Sequence, residues 1–360
     1  MSLMIGGAMA AGSWGDEPLW VYIGSYTSEG GSEGIYRAEF DAESGKIGVA
    51  ELAAEMVSPS FLEISPTKKT LYAVSEAGSR QGVWAYSIDP ESGALSLLNV
   101  KSTGGDAPCH VAVDPTGRTV VAANYTGGSV RSFPAVEDGR LGGPGSFFQH
   151  EGSSVNPARQ RGPHGHSVNF SPDGRFVFAA DLGLDEIKVY RADHGSGEMV
   201  GHDPGSVKVA PGAGPRHFVF HPSGRFAYVI NEMHMTVTAF SYDAERGRLE
   251  EIETVSTVPG GKAVKGGSTA EIRVHPSGKF LYGSNRGHDT IAVYQIDAES
   301  GRLSLVENEG EGIRTPRNFN LDPSGRWCLV ANQSGGSVAV FSVDQETGEL
   351  AATGHSTKVD

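Results

Sequence analysis

Positive charge is scarce in this sequence. Its 360 residues include 29 Lys and Arg against 43 Asp and Glu, which gives a formal net charge of −14 at neutral pH. Binding to a phosphate backbone needs a positive face, so we expect no nucleic-acid partner. The chain also lacks an apolar run of about 18 residues, the length at which a transmembrane helix becomes possible, and we expect no membrane partner.

Cysteine is nearly absent as well, since the sequence contains only Cys109 and Cys328. Their unrelated surroundings predict neither a disulfide framework nor a metal site. Residues 1–18 lack the basic start and the continuous apolar core of a signal peptide, and we expect a disordered leader there. A cytoplasmic location is therefore expected, with a single domain over residues 19–360.

Helical periodicity is missing too, because no stretch of useful length repeats its apolar residues every 3.6 positions. What the chain has in abundance is glycine and proline, with 50 and 19 residues. They recur at regular intervals between apolar runs. This arrangement is typical of an all-β protein and not of a disordered one.

Two turn motifs repeat along the chain. The first resembles SPDGRFVFAA; its prolines recur about every 50 residues and are Pro66, Pro115, Pro172, Pro222, Pro276 and Pro323. Proline fixes φ at the first corner of a turn and glycine supplies the positive φ that closes it, so each copy predicts a hairpin. The second motif resembles DAESGKI and begins at Asp41, Asp89, Val136, Asp193, Asp243, Asp297 and Asp344.

Two hairpins per repeat make four antiparallel strands, and the repeats predict an all-β, seven-bladed β-propeller. An open stack of repeats is disfavoured because it would expose two apolar end faces. The first repeat begins at its second strand, residues 19–25, so the first blade is expected to lack its inner strand in this chain. Either the Gly- and Ala-rich leader fills that gap, or a closing strand is absent from the chain.

The first strand of each blade lines the central channel of a propeller, so the residues that open these strands meet at one mouth. The polar residues at these openings are His110, His164, His166, Arg216, His217, Glu271, Arg317 and Asn318. Loops after the second strands add Glu76, Asn124, Asp181, Asn231, Glu232, Asn285 and Arg286. Arginine forks suit phosphate and carboxylate groups, and a nearby His or Glu can activate water. The mouth therefore predicts a site for a small anionic substrate.

Structural interpretations stay open for the same residues. The arginines could pair with Glu232 and Glu271 to tie neighbouring blades together, and Asn124 could serve as a turn former. The H-x-H pair of His164 and His166 could ligate a metal. A third histidine with a suitably spaced carboxylate is not evident, and flanking arginines disfavour a cation. We therefore predict no metal and no cofactor.

With these residues in view, the chain resembles the seven-bladed lactonase family. That family contains bacterial 6-phosphogluconolactonases of the propeller type and fungal carboxy-cis,cis-muconate cyclases. The most specific stretches are GPHGHSVNFSPDGRFVFAADLG, GAGPRHFVFHPSGRFAYVINE, AEIRVHPSGKFLYGSNRG and PRNFNLDPSGRW. The resemblance implies a catalytic set of His166, Arg216, Glu232 and Arg286. The expected substrate-binding residues are His164, His217, Glu271, Arg317, His110 and Asn124.

The resemblance implies hydrolysis of a sugar lactone, 6-phosphogluconolactone to 6-phosphogluconate, with His/Glu acid–base chemistry and arginine anion binding. The same residues would also suit a lactonising cyclase that acts on a carboxymuconate. A propeller without enzymatic activity that binds a protein or a sugar is a third hypothesis. It predicts exposed aromatics, whereas three of the four tryptophans lie in strand patterns. The expected partner is a small anionic lactone, and the expected state is a monomer or weak homodimer.

Overall fold

A computed structural model of the chain describes residues 2–6, 19–28, 31–193 and 196–359. In these residues, short antiparallel strands form seven sheets. The inner strands of the sheets contact one another in a closed ring, which makes each sheet one blade of a propeller. The predicted all-β, seven-bladed architecture is confirmed.

Each blade is a meander from the axis to the rim. The strands of the first three blades are β1 (Ser2–Gly6), β2 (Leu19–Gly24), β3 (Gly34–Asp41), β4 (Lys46–Ile47) and β5 (Glu51–Glu55); β6 (Phe61–Ile64), β7 (Thr70–Ser75), β8 (Gly82–Ile88) and β9 (Leu95–Lys101); and β10 (Pro108–Val113), β11 (Thr119–Asn124), β12 (Ser129–Pro134) and β13 (Phe147–Gln149). In the first blade, β4 and β5 both pair with β3 as the outer edge.

The remaining four blades repeat the same order without exception. Their strands are β14 (Gly165–Phe170), β15 (Phe176–Asp181), β16 (Glu186–Ala192) and β17 (Met199–Lys208); β18 (Pro215–Phe220), β19 (Phe226–Asn231), β20 (Thr236–Asp243) and β21 (Arg248–Ser256); β22 (Ser268–Val274), β23 (Phe280–Arg286), β24 (Thr290–Ile296) and β25 (Leu303–Glu309); and β26 (Pro316–Leu321), β27 (Trp327–Asn332), β28 (Ser337–Val343) and β29 (Leu350–Lys358). A 3₁₀ turn covers Pro259–Gly261. The described residues contain no helix long and apolar enough to span a membrane.

The first blade corrects one expectation, because its inner strand is present. Ser2–Gly6 pairs antiparallel with β2, from Ser2 opposite Gly24 to Gly6 opposite Trp20. This strand lies beside β6 on one side and β26 on the other, in the inner position that the ring leaves for it. The prediction of a missing strand relied on local composition. In the structure, the edge of β2 supplies the backbone pairing for this strand, and the inner strands of the two flanking blades pack beside it. Of the expected disordered leader, residues 2–6 are a strand, and residues 7–18 lie outside the described residues.

Aromatic residues hold neighbouring blades together through the second turn motif. A Cβ on Gly93 would lie 2.4 Å from the ring of Trp20, and one on Gly45 would lie 2.5 Å from the ring of Trp327. Only glycine permits this approach at the positive φ of these turns. Trp327 also donates from Nε1 to the carbonyl oxygen of Ala42 at 2.8 Å, which links the seventh blade to the first.

The first turn motif joins the inner strand of a blade to its second strand. Its glycines adopt positive φ, as at Gly174 (72°), and in the second blade Lys68 takes the same conformation at 60°. In the six blades that contain this turn, the inner strand runs towards it and the second strand runs back from it; in the first blade, β1 pairs antiparallel with β2 in the same way. The starts of the inner strands and the ends of the second strands thus meet at one mouth, which positions the site described next.

Candidate active site

The inner strands are irregular at their first residues, and the irregularity selects the site residues. The pairing register shifts between Pro108 and His110, between Gly165 and Ser167, between Pro215 and His217, and between Pro316 and Asn318. The residues left outside the ladder pairing are Cys109, His166, Arg216 and Arg317. A β-bulge re-aims a side chain relative to the alternation of its strand. The repeat thus turns four equivalent side chains away from the regular pattern at the mouth.

Glu232 is the centre of the arrangement. It follows directly after β19, and its backbone N–H donates to the carbonyl oxygen of Gly214 at 2.7 Å. Its Oε2 lies 3.1 Å from Nε of Arg216 and 3.1 Å from Nη2 of Arg286. Its Oε1 lies 2.8 Å from Nη2 of Arg159. We call Arg159, His166, Arg216, Glu232 and Arg286 the Glu232 cluster.

Three guanidinium groups decide the ionisation of Glu232. Burial alone would raise the pKa of its carboxyl, but the charges of Arg286 and Arg216 lower that pKa far below its usual range, with help from the hydrogen bond of Arg159. The carboxylate is therefore charged at neutral pH. Because its lone pairs are engaged by guanidinium donors, it is a weak base.

Arg216 and Arg286 are fixed by backbone as well as by Glu232. Nη1 of Arg216 donates to the carbonyl oxygen of Ala270 at 2.7 Å, and Nη2 of Arg286 donates to that of Thr269 at 2.7 Å. Both acceptors belong to β22, so the sixth blade holds the two cations side by side. Burial and the charge of Arg216 lower the pKa of Arg286 to about 10. Both side chains remain cations at neutral pH and form a preorganised site for negative charge.

His166 is a neutral imidazole beside these charges. Burial, followed by the charge of Arg216, lowers its pKa well below 6.5. Its Nδ1 lies 3.9 Å from Sγ of Cys109, whose thiol faces the backbone oxygens of Gly165 and His166 at 3.5 and 3.4 Å. When the thiol donates to one of those carbonyls, its sulfur can accept from Nδ1–H, and in that tautomer the lone pair of His166 lies on Nε2.

A second imidazole–carboxylate pair lies beside the Glu232 cluster. Nδ1 of His217 is 3.1 Å from Oε1 of Glu271, and Nδ2 of Asn318 donates to Oε2 of the same carboxylate. Burial lowers the pKa of His217 well below its usual value. Its ring centroid lies 5.6 Å from that of His166 and 5.2 Å from that of His110. The structure thus brings three buried histidines together at the mouth.

The remaining predicted residues lie around this group. Nη2 of Arg317 donates to Oη of Tyr26 at 2.8 Å, and that hydroxyl donates to Glu76 at 2.7 Å. His164 stacks on Tyr125 with centroids 4.6 Å apart, and Tyr125 meets the edge of His166 at 5.1 Å.

Asn124 is placed differently. Its Nδ2 donates to Oγ of Ser129 at 3.0 Å across the turn between β11 and β12. This contact matches its interpretation as a turn former and does not join it to the Glu232 cluster. Its part in substrate binding stays a prediction.

Sequence analysis missed Arg159, Tyr125 and Tyr26. Arg159 lies in the segment between β13 and β14 and falls on no repeat position. Tyr125 and Tyr26 occupy the position after a second strand that also gives Glu232 and Glu76, but sequence analysis selected only charged and amide side chains there. The signal for Arg159 was the density of polar residues in NPARQRGPHGH, which runs directly into one of the most specific stretches of the chain.

The hypothesis that His164 and His166 ligate a metal can be compared with the contacts that these two side chains make. Nδ1 of His164 lies 2.9 Å from the carbonyl oxygen of Tyr125, and His166 faces a carboxylate already held by three guanidinium groups. Within the described ranges, no group of three or more His, Cys, Asp or Glu side chains could hold a metal ion.

Comparison with known proteins identifies the family. The family model described as "Lactonase, 7-bladed beta-propeller" matches residues 20–360. The chain is 40% identical to the 6-phosphogluconolactonase of Bacillus subtilis over 301 residues, which is 84% of each protein. It is 35% identical to the 6-phosphogluconolactonase of Formosa agariphila over 307 residues, 84% of this chain and 86% of the relative.

A solved structure agrees with the sequence relatives. The periplasmic gluconolactonase of Pseudomonas aeruginosa superimposes with a TM-score of 0.87 at 34% identity, over 94% of this chain and 95% of that one. The resemblance stated from the sequence is confirmed, and with it the expected enzyme class, a lactone hydrolase. The chain belongs to the family of seven-bladed β-propeller lactonases.

Proposed function

We propose that this protein hydrolyses 6-phosphogluconolactone to 6-phosphogluconate at the Glu232 cluster, without a metal or other cofactor. The observation that carries the proposal is a buried, neutral imidazole, His166, beside two buried guanidinium groups that share one carboxylate. The names of the sequence relatives support this substrate class. They favour hydrolysis over the cyclase hypothesis.

The reaction needs a group that stabilises negative charge on the lactone carbonyl oxygen. Attack of water at the carbonyl carbon creates an oxyanion, and fixed donors in a water-poor site stabilise such a charge strongly. Arg216 and Arg286 are cations held in place by Glu232 and by the backbone of β22. In our proposal they bind the carbonyl oxygen and stabilise the tetrahedral intermediate.

The reaction also needs a base that removes a proton from water. In our proposal His166 is that base, because its Nε2 lone pair is available while the carboxylate of Glu232 is engaged by guanidinium donors. An anionic substrate offsets the arginine charges that lower the pKa of His166, so substrate binding strengthens the base. His166 then returns the proton to the ring oxygen as the C–O bond of the lactone breaks, and the acid product leaves.

Glu232 has a positioning role in this scheme. It holds Arg159, Arg216 and Arg286 at fixed distances and keeps three like charges together. Glu271 acts on His217 in a comparable way by accepting from Nδ1. A cytoplasmic location and a monomeric or weakly dimeric state remain predictions.

The test is a lactonase assay on freshly generated 6-phosphogluconolactone and on gluconolactone, with and without a strong chelator. Spontaneous hydrolysis is measured in the same buffer without protein and subtracted. We expect hydrolysis well above the spontaneous rate and activity within about twofold after chelation, since removal of a catalytic metal would abolish turnover. No lactone hydrolysis, together with conversion of a carboxymuconate, would replace the proposal with the cyclase hypothesis.

A further inference from the structure

Arg159 is the outermost cation of the Glu232 cluster. Its side chain is 41% exposed, whereas those of Arg216 and Arg286 are 3% and 15% exposed. The solvent exposure of the three guanidinium groups thus increases from the interior to the entrance of the site. The hydrogen bond to Glu232 raises the pKa of Arg159, although burial acts against it, so this outer group is permanently charged.

Arg159 also has donors to spare. Its hydrogen bonds to Glu232 and to Oη of Tyr125, at 2.8 and 3.0 Å, both come from Nη2. A guanidinium group has five N–H donors, so Nη1 and Nε retain three. Each of these N–H groups can donate a charge-assisted hydrogen bond to a phosphate oxygen.

The segment that carries Arg159 is firmly fixed. Asp181 accepts from Nδ1 of His150 at 2.6 Å and from the backbone N–H of His164 at 2.8 Å, so one buried carboxylate anchors both ends of the connection between β13 and β14. Inside it, the fully buried Gln160 donates from Nε2 to the carbonyl oxygen of Leu182 at 2.9 Å. Arg159 is therefore held over the site before substrate arrives, which lowers the entropic cost of binding.

A phosphorylated lactone carries its two kinds of charge at opposite ends. The charge that develops on the carbonyl oxygen suits the buried pair Arg216 and Arg286. A phosphate dianion is costly to strip of water, so it suits a cation at the entrance that remains partly hydrated. We propose that Arg159 binds the 6-phosphate and determines the preference for phosphorylated over unphosphorylated sugar lactones, an inference that rests on the proposed lactonase function.

Arg317 is the alternative cation for the phosphate. Its guanidinium group lies 5.2 Å from the centroid of the Tyr26 ring and donates to the hydroxyl of that residue. The hydroxyl in turn donates to Glu76, so Arg317 is already part of a charge-balanced chain. Burial around Arg317 is also deeper than around Arg159. Both features favour Arg159.

The experiment measures kcat/KM of R159M on 6-phosphogluconolactone and on gluconolactone. We expect the ratio of the two values to fall at least about tenfold, because charge-assisted hydrogen bonds to the phosphate are lost. R161M is the matched control: Arg161 lies two residues further on, is exposed, and donates from Nε to the carbonyl oxygen of Pro157 at 2.7 Å. Its ratio should stay within twofold of wild type.

A second measurement does not depend on turnover. Inorganic phosphate should inhibit the wild type and R161M competitively, and at least about tenfold more phosphate should be needed for R159M. An equal loss of R159M on both lactones would show a positioning role only and would overturn the inference, as would a selective loss in R317M instead. Failure of the wild type on both lactones would instead overturn the proposed function.

Discussion

Nε2 of His166 lies 3.8 Å from Oε2 of Glu232, which is beyond a direct hydrogen bond although both side chains are buried. The same oxygen is 3.1 Å from nitrogens of Arg216 and Arg286. The carboxylate therefore serves the cations and leaves the imidazole free. This separation assigns the base and the positioning group to different residues.

Replacing His166 should affect turnover more than stability. In H166Q we expect kcat to fall by about a hundredfold or more, the usual effect of losing a general base, while the melting temperature stays within a few degrees of wild type. Steady-state kinetics and thermal unfolding of the same sample check this. Under the hypothesis that the mouth residues only tie blades together, the melting temperature would fall and kcat of the folded fraction would be unchanged.

Replacing Glu232 should affect both quantities. In E232Q three guanidinium groups lose their common counter-charge, and removing one partner of a buried ion pair costs about 3–5 kcal/mol. We expect a lower free energy of unfolding by denaturant titration and a reduced kcat, because Arg216 and Arg286 are no longer held together. Wild-type stability in E232Q would contradict the central role of this carboxylate.

Both buried arginines should be needed for turnover. R216K should not restore activity, because an ammonium group cannot both pair with Glu232 and donate to the carbonyl oxygen of Ala270 as the guanidinium does. R286M should mainly lower kcat, because its proposed contact with the carbonyl oxygen strengthens as negative charge develops there. Full activity of R216K, or an unchanged kcat in R286M by steady-state kinetics, would exclude these assignments.

The pH dependence of the rate should report His166. Burial and Arg216 lower its pKa well below 6.5, so the base stays neutral as the pH falls through that value. We expect kcat/KM for gluconolactone, which has no titrating group, to stay level down to pH 6.5 and to fall only at lower pH. An acid limb at or above pH 6.5 would indicate another base.

The place of each site residue in the repeat explains how much of this site could be predicted from the sequence. The repeat motifs fixed the number of blades, the rim of the turns and the strand starts at which His166, Arg216 and His217 stand, because proline, glycine and alternating apolar residues act locally. Glu232 and Arg286 follow from the same register at the ends of the second strands. Arg159 could not be found this way, since its position depends on Asp181 and Gln160, whose partners are distant in the sequence.

The first blade also shows where prediction from local sequence patterns fails. Local composition made residues 2–6 poor strand candidates, yet the ladder of β2 provides their partners. An edge that needs pairing is a property of the assembled sheet, and composition does not contain it. Tertiary context therefore decided the one fold detail that local pattern predicted wrongly.

Protein stability should fall in mild acid. The pKa values of His110, His166 and His217 are well below 6.5 in the folded state because of burial. Below pH 6.5 the unfolded state therefore binds more protons, and each imidazole reduces stability by about 1.4 kcal/mol per pH unit until its folded pKa is reached.

Glu63 opposes this trend, since burial raises its pKa from 4.5 to about 7 and the folded state binds the extra proton between those values. We expect the melting temperature to fall from pH 6.5 to pH 5 and to fall more steeply in E63Q. A flat profile in E63Q would contradict the neutral state of the three histidines. Differential scanning calorimetry at each pH is the measurement.

The strand Ser2–Gly6 has a consequence for how the chain reaches its native state. It lies between β6 and β26, so closing the ring requires contact between segments about 310 positions apart in sequence. Such contacts are entropically costly to form early, because they close a long loop of chain before other contacts have ordered it. Each of the seven blades consists of strands that follow one another in sequence, so every blade can form from local pairings. The packing of the first blade against the seventh requires the two ends of the arc to meet, which makes ring closure a late event in folding.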